Sequence, residues 1–239
     1  MKLLLIRHGQ SANNALSGSN HPVSSQYPDP TLTDLGRQQA ETLAHAFTDG
    51  LLPRPSVLLS SPMTRAVQTA SPLADELDMP IELETQAHEV GGIFQSVQGE
   101  PGSFQGASRA ELADISDRLI FNEDIHDEGW YRLGSHVETP AEGQGRGKRL
   151  YRSILERYGN QDGVVALVCH EWITNYVLRA ALGLSDPEGE PDPWFSLPNT
   201  SSTFIQTGLP LPGPYEGGGT AMIWWVGRFD HLPDEQVSR

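Results

Sequence analysis

An α/β fold with a mainly parallel sheet covered on both faces is what this sequence predicts, and three observations lead to it. Short apolar runs, KLLLIR from Lys2, SVLLSS from Ser56, MPIELE from Met79 and GVVALVCH from Gly163, alternate with stretches whose apolar residues recur at helical spacing. The first and last of these runs are nearly continuous, as strands buried on both sides tend to be. Hydrophobic residues make up 37% of the 239 positions and are spread along the chain, enough for one substantial core. The expected architecture is therefore three-layer α/β/α, a single domain over 1–239.

The elements follow in order. KLLLIR is the first strand. Thr33 is a candidate N-cap, and behind it Gly36, Ala40, Leu43, Ala44 and Phe47 keep one helical face. SVLLSS is the second strand. From Ser61, SPMTRAVQTA reads as an N-cap, then Pro62 at the first helical position, then a stripe through Ala66 and Ala70. Pro72 is expected to kink or end that helix, with Leu73 to Leu77 continuing it. MPIELE is the third strand. From Gly91 to His136 glycines, acids and the aromatics Phe94, Phe104, Trp130 and Tyr131 mix without a period, which suggests an insertion or cap at about 91–136 over one sheet edge. Lys148 to Tyr158 reads as a helix through Leu150, Ile154 and Leu155, closed by Gly159. GVVALVCH is the fourth strand, and a helix after His170 turns Ile173, Val177 and Ala181 inward until Gly183. SSTFIQT and TAMIWWVG are late strands, the second with Trp224 and Trp225 on a possible sheet edge. The Pro/Gly-rich GLPLPGPYEGGG between them, 208–219, reads as a surface loop.

Charge and cysteine content narrow the function classes. With 16 basic against 31 acidic residues the net charge is −15, which repels nucleic acid and anionic membrane surfaces. Neither is expected as a partner. The apolar start is too short for a signal peptide and VVALVC too short to span a bilayer, so a cytoplasmic protein is expected. Oligomeric state is not legible. A single cysteine, Cys169, excludes an intramolecular disulfide and a thiolate zinc cluster.

Ligands of open parallel sheets bind at the carboxyl ends of strands. Arg7 and His8 follow the first strand, Ser60 and Ser61 the second with Arg65 in the next helical turn, and His170 follows GVVALVC. Two arginines and two histidines at one rim, beside helix N-termini, suit a phosphate. Arginine holds phosphate oxygens with a planar fork, and histidine serves as a nucleophile toward phosphorus or as a hydrogen-bond donor.

On these residues the chain resembles the histidine phosphatase superfamily, with its phosphoglycerate-mutase-like fold. The matching stretches are LIRHGQSANN at the start, LTDLGRQQA from Leu32, SSPMTRAVQTA from Ser60 and VCHE around His170, in the right order over most of the chain. The resemblance implies a phosphomonoesterase acting on a small-molecule phosphomonoester, with no metal and no cofactor. It implies His8 as the phosphorylated nucleophile, Arg7 and Arg65 as phosphate clamps, His170 as a charged partner of the phosphoryl group and Asn14 as a further phosphate contact. It also implies a glutamate general acid, for which Glu89 in AHEVGG is the candidate, with Glu82, Glu84 and Glu100 nearby as competitors. A carboxyl beside bound phosphate has its pKa raised, which keeps it protonated for a leaving alkoxide. Glu171 stands where relatives often carry a small residue, and its charge is expected at the substrate, narrowing the pocket or repelling some ligands.

Other readings compete. A phosphoglycerate-type mutase would share the pocket but needs a water-excluding site and extra cations; the cap offers Arg109, Arg118 and Arg132, and Ala15 to Asp29 has no Lys or Arg. A non-catalytic phospho-ligand binding protein would keep the pocket without turnover. HEWIT at His170 lacks the second histidine of a zinc protease, since Thr174 stands there. A cysteine phosphatase loop on Cys169 would need an arginine where Asn175 is. His126, Asp127, Glu128 and His136 have no ordered ligand spacing and read as a solvated loop, and GQGRG at Gly143 lacks the dinucleotide pattern.

Overall fold

The structure is a computed structural model that describes residues 1–16, 27–97, 100–134, 136–184, 194–209 and 220–239. Most of the expected loop at 208–219, and 17–26 within the stretch from Ala15 to Asp29, lie outside the described residues. In chain order the elements are β1 (Lys2–Arg7), α1 (Ala12–Leu16), α2 (Asp34–Thr48), β2 (Val57–Ser60), α3 (Thr64–Leu77), β3 (Ile81–Leu83), β4 (Phe94–Val97), β5 (Glu100–Ser103), α4 (Arg109–Ala113), β6 (Leu119–Ile120), α5 (Pro140–Tyr158), β7 (Val164–Cys169), α6 (Glu171–Ala181), β8 (Ser202–Leu209) and β9 (Thr220–Arg228). No helix among the described residues is long and apolar enough to cross a membrane.

The main sheet runs β6-β3-β2-β7-β1-β8-β9. Its first five strands are parallel; β8 is antiparallel to β1, and β9 to β8. Alternate residues of the central strands face opposite sides. Leu4, Ile6, Leu58, Ala166 and Val168 pack under α2 and α3, while Leu3, Leu5, Leu59, Val165 and Leu167 pack under α5 and α6. Strand register aligns the ends of three strands. Ile6 and Ser60 both pair with Val168, and Arg7 pairs with Cys169, so β1, β2 and β7 leave the sheet at one level with His8, Ser61 and His170 at the rim.

The helices correct several expectations. Thr33 caps α2 as expected, its side chain accepting from Gly36 N at 3.0 Å. α3 starts at Thr64, three residues after Ser61, with Met63 as an N-cap that makes no side-chain cap bond, and Ser61 Oγ lies 2.9 Å from His170 Nε2. The helix also runs through Pro72. Burial of Ala66, Ala70, Leu73, Ala74 and Leu77 along one face outweighs the hydrogen bond that proline forgoes. α5 begins at Pro140, not Lys148, on a capping box between Thr139 and Glu142. GQGRG is therefore helical, and Gly147 has a reason: a Cβ there would lie 2.6 Å from Tyr176 Cβ on α6. Gly159 does cap the end of α5, in the right-handed conformation, not the left-handed one.

The stretch from Gly91 to His136 covers the β3 side of the sheet. β4 and β5 form a separate hairpin, α4 has a capping box from Ser108 to Glu111, and β6 returns to the main sheet as its edge. Two residues paired to Ile81 and Glu82 leave no periodic signal, which is why sequence reading missed β6. Trp130 and Tyr131 are buried with Met63, Val67, Leu83, Ile93, Leu112 and Ile125, with Phe104 against them. The Phe94 side chain lies outside the described residues.

Candidate active site

His8 is held at both ends. Its backbone N–H donates to Cys169 O at 3.0 Å, and its carbonyl accepts from Thr200 N at 3.2 Å and Asn199 Nδ2 at 3.1 Å. The ring Nδ1 lies 2.6 Å from Gly9 O, which accepts a proton and nothing else, so Nδ1 carries the hydrogen. Nε2 then keeps its lone pair, and Arg65 Nε donates to it at 3.1 Å. Burial, then Arg65 and Arg7, hold the His8 pKa well below the ordinary imidazole value. Glycine is required next to it: a Cβ on Gly9 would sit 2.5 Å from Gly36 O at the start of α2.

His170 occupies the N-cap position of α6, its ring centroid 5.0 Å from that of His8 and tilted by 58°. Its Nε2 is 2.9 Å from Ser61 Oγ, which accepts from Met63 N at 3.3 Å. The Ser61 hydroxyl can donate to Nε2 or accept from it, so the contact fixes the ring orientation and leaves Nδ1 as the other ring nitrogen. That atom is buried and has no hydrogen-bond partner among the described residues. Burial first, then Arg65 and His8, push the His170 pKa well down.

Arg7 and Arg65 are both buried. Arg7 Nη1 donates to Leu197 O and lies 3.0 Å from Glu171 Oε2. Arg65 Nη1 is 3.9 Å from Asp29 Oδ1, and Asp29 also accepts from Thr64 N and Oγ1. Burial lowers the pKa of both arginines while Glu171 and Asp29, respectively, oppose it, which maintains the cations in a low-dielectric site. Asn14 Oδ1 accepts from Ser11 N at 3.1 Å, Ser11 Oγ at 3.0 Å and Asn199 Nδ2 at 3.3 Å, so the amide is turned with its NH2 as the free-facing donor end.

Glu89 follows a 3₁₀ turn at Thr85–Ala87 and reaches the first turn of α6. Its carboxylate accepts from Val90 N at 2.8 Å, Ile173 N at 3.1 Å and Trp172 N at 3.2 Å. Burial raises its pKa against those N–H groups and Arg65. The competing acids point elsewhere: Glu82 accepts from the Tyr158 hydroxyl at 2.8 Å and Glu84 pairs with Arg157. The Glu100 side chain lies outside the described residues.

The remaining expectations divide. Glu171 faces Arg7 and accepts from Leu197 N at 3.3 Å, so its charge sits beside the clamp. Arg118 is held by Asp75 at 2.7 Å and Asp78 at 2.9 Å, and Arg109 donates to Ile125 O, so these two are not spare anion binders. Arg132 lines a cavity of about 420 Å³ with His88, Trp130, Tyr131, His136 and Arg146. Cys169 is buried, its thiol pushed up to about 12, which does not suit a nucleophile. Sequence reading missed Ser61 as the partner of His170, Asp29 behind Arg65, and Asn199 and Leu197 from the far end of the chain. Only Ser61 had a signal, and the proline behind it suggested a helix cap.

The family model described as histidine phosphatase superfamily (branch 1) matches residues 3–208. The chain is 27% identical over 190 residues to a glucosyl-3-phosphoglycerate phosphatase from Mycolicibacterium vanbaalenii, covering 77% of this chain and 75% of that protein. It is 35% identical over 71 residues, 28% of this chain and 25% of the relative, to phosphoglycerate mutase-like protein 1 from Arabidopsis thaliana. Its fold is similar to the crystal structure of a phosphoserine phosphatase mutant from Entamoeba histolytica in complex with phosphoserine, with TM-score 0.59, 21% identity and coverage of 97% and 99% of the two chains. It is also similar to that of ecdysone phosphate phosphatase from Bombix mori in complex with tungstate, with TM-score 0.61, 17% identity and coverage of 96% and 97%. With the matched region carrying β1, α3 and β7, and with them the histidine–arginine rim, the chain belongs to the histidine phosphatase superfamily.

Proposed function

We propose that this histidine phosphatase is a metal-independent phosphomonoesterase that works through a phosphohistidine on His8 and acts on a small phosphorylated metabolite. The observation that carries the reading is the His8 ring: Nδ1 tied to Gly9 O at 2.6 Å, and Nε2 with its lone pair directed at Arg65. A neutral, oriented imidazole surrounded by cationic donors is what in-line attack on a phosphorus centre needs. Phosphate oxygens take over the donors of Arg65, Arg7 and Asn14, with the His170 ring beside them. Nε2 forms the N–P bond as the ester P–O bond breaks, and the leaving oxygen takes its proton from Glu89. Water then attacks phosphorus, gives a proton to Glu89 and releases inorganic phosphate, which restores His8.

The domain is proposed as a single unit with the stretch at about 91–136 as its cap, and the named relatives that hydrolyse phosphorylated metabolites support that class of substrate. Hydrolysis of para-nitrophenyl phosphate by the wild type and by His8→Ala, both in excess EDTA, tests the proposal. The expected result is turnover that survives EDTA, loss of at least about a thousandfold in the variant, and a phosphoenzyme that is stable in alkali and labile in acid. Activity persisting in His8→Ala would overturn the assignment.

A further inference from the structure

Arg146 lies in α5 and is only 5% exposed, yet every nitrogen of its guanidinium has a partner. Nε donates to Glu138 Oε1 at 2.8 Å and Nη2 to Glu138 Oε2 at 2.5 Å, a two-point pair with a carboxylate that is itself buried. Nη1 donates to the carbonyl oxygens of Gln86 at 2.5 Å and His88 at 2.8 Å. Those carbonyls belong to the 3₁₀ turn and the residue directly before Glu89, a stretch with no ladder of its own to hold it. The same stretch has two further contacts. Glu89 is bonded to the first turn of α6, and a Cβ on Gly143 of α5 would lie 2.7 Å from Val90 Cγ1.

A buried ion pair is seldom the cheapest way to stabilise a fold, since well-packed apolar residues do as well or better. What this pair offers instead is direction: charge-assisted, planar bonds to two specific carbonyls. We propose that Arg146, held by Glu138, is a positioning residue for the proton donor, fixing the backbone at Gln86 and His88 so that the Glu89 carboxyl meets the leaving oxygen. The inference rests on the reading of Glu89 as the general acid.

The test compares kcat/KM for phenyl phosphate and para-nitrophenyl phosphate, esters of similar size whose leaving groups differ in their need for a proton. kcat/KM reports steps up to phosphoenzyme formation, and the ratio for the two substrates is the same however much of the sample is folded. In Arg146→Lys and in Glu138→Gln, phenyl phosphate is expected to lose about tenfold more than para-nitrophenyl phosphate, in the same direction as in Glu89→Gln, in line with the ~10²–10⁴ that a general acid supplies. If Glu89→Gln lowers the ratio and the other two leave it at the wild-type value, the pair only supports the fold and the positioning role is overturned. If Glu89→Gln itself leaves the ratio unchanged, the assignment of Glu89 fails and the inference falls with it.

Discussion

At the residue scale, the site is a set of cations kept in a dry rim by partners drawn from distant parts of the chain. The clearest case is Arg7, whose Nη1 is shared between Leu197 O and Glu171. A phosphate that binds Arg7 competes with Glu171 for the same donor. Glu171→Gln is therefore expected to strengthen inhibition by inorganic phosphate about threefold to tenfold, on the order of 1 kcal/mol for one partly exposed ion pair. The inhibition constant for phosphate measures it, and weaker inhibition would mean that Glu171 orients Arg7 instead of competing for it. His8, Arg7, Arg65 and His170 were legible because each sits within a few residues of an apolar run that announces its strand. Asp29, Asn199 and Leu197 were not, because nothing in their neighbours marks them, and only the fold brings them within 4 Å of the rim residues.

At the scale of elements, α5 and α6 show how local propensity yields to packing. Three glycines in α5 weaken its helical signal, so its first two turns read as loop, yet the capping box at Thr139 starts the helix there. The glycines are not equivalent. Gly147 faces Tyr176 at a distance that leaves no room for a methyl, whereas the nearest neighbour to a Cβ on Gly145 is Arg149 Nη1 at 3.5 Å. Gly145→Ala is expected to stabilise the protein by about 0.5–1 kcal/mol through helix propensity. Gly147→Ala is expected to destabilise it by about 1–3 kcal/mol through overpacking, despite the same gain in propensity. Urea midpoints of the two variants decide it, and stabilisation by both would show that α5 and α6 can separate freely.

At the scale of the whole molecule, burial of histidine couples stability to pH. His8, His88, His170 and His231 all have pKa values lowered first of all by burial, His88 and His231 to about 4. The unfolded chain takes up these protons near pH 6.5 and the folded chain does not, so their contribution is fully present above about 6.5 and falls away below it, for His88 and His231 as pH approaches about 4. Asp29 and Glu89 are raised by burial and act in the opposite sense. With four histidines against two carboxylates, thermal midpoints are expected to drop between about pH 7 and pH 5; a flat or rising midpoint would show that the carboxylates dominate. By itself the sequence determined the alternating α/β order, the strands that carry the rim, and the residue types that suit phosphate, because apolar periodicity and residue chemistry are local properties. Only the tertiary structure decided which glutamate reaches α6, what holds His8 in its tautomer, that Glu171 faces Arg7, and that Leu119 and Ile120 close the sheet. Those outcomes depend on strand register and on helix approach, which are set by contacts between segments far apart in the chain, as in the bond from Asn199 to His8 across 191 residues.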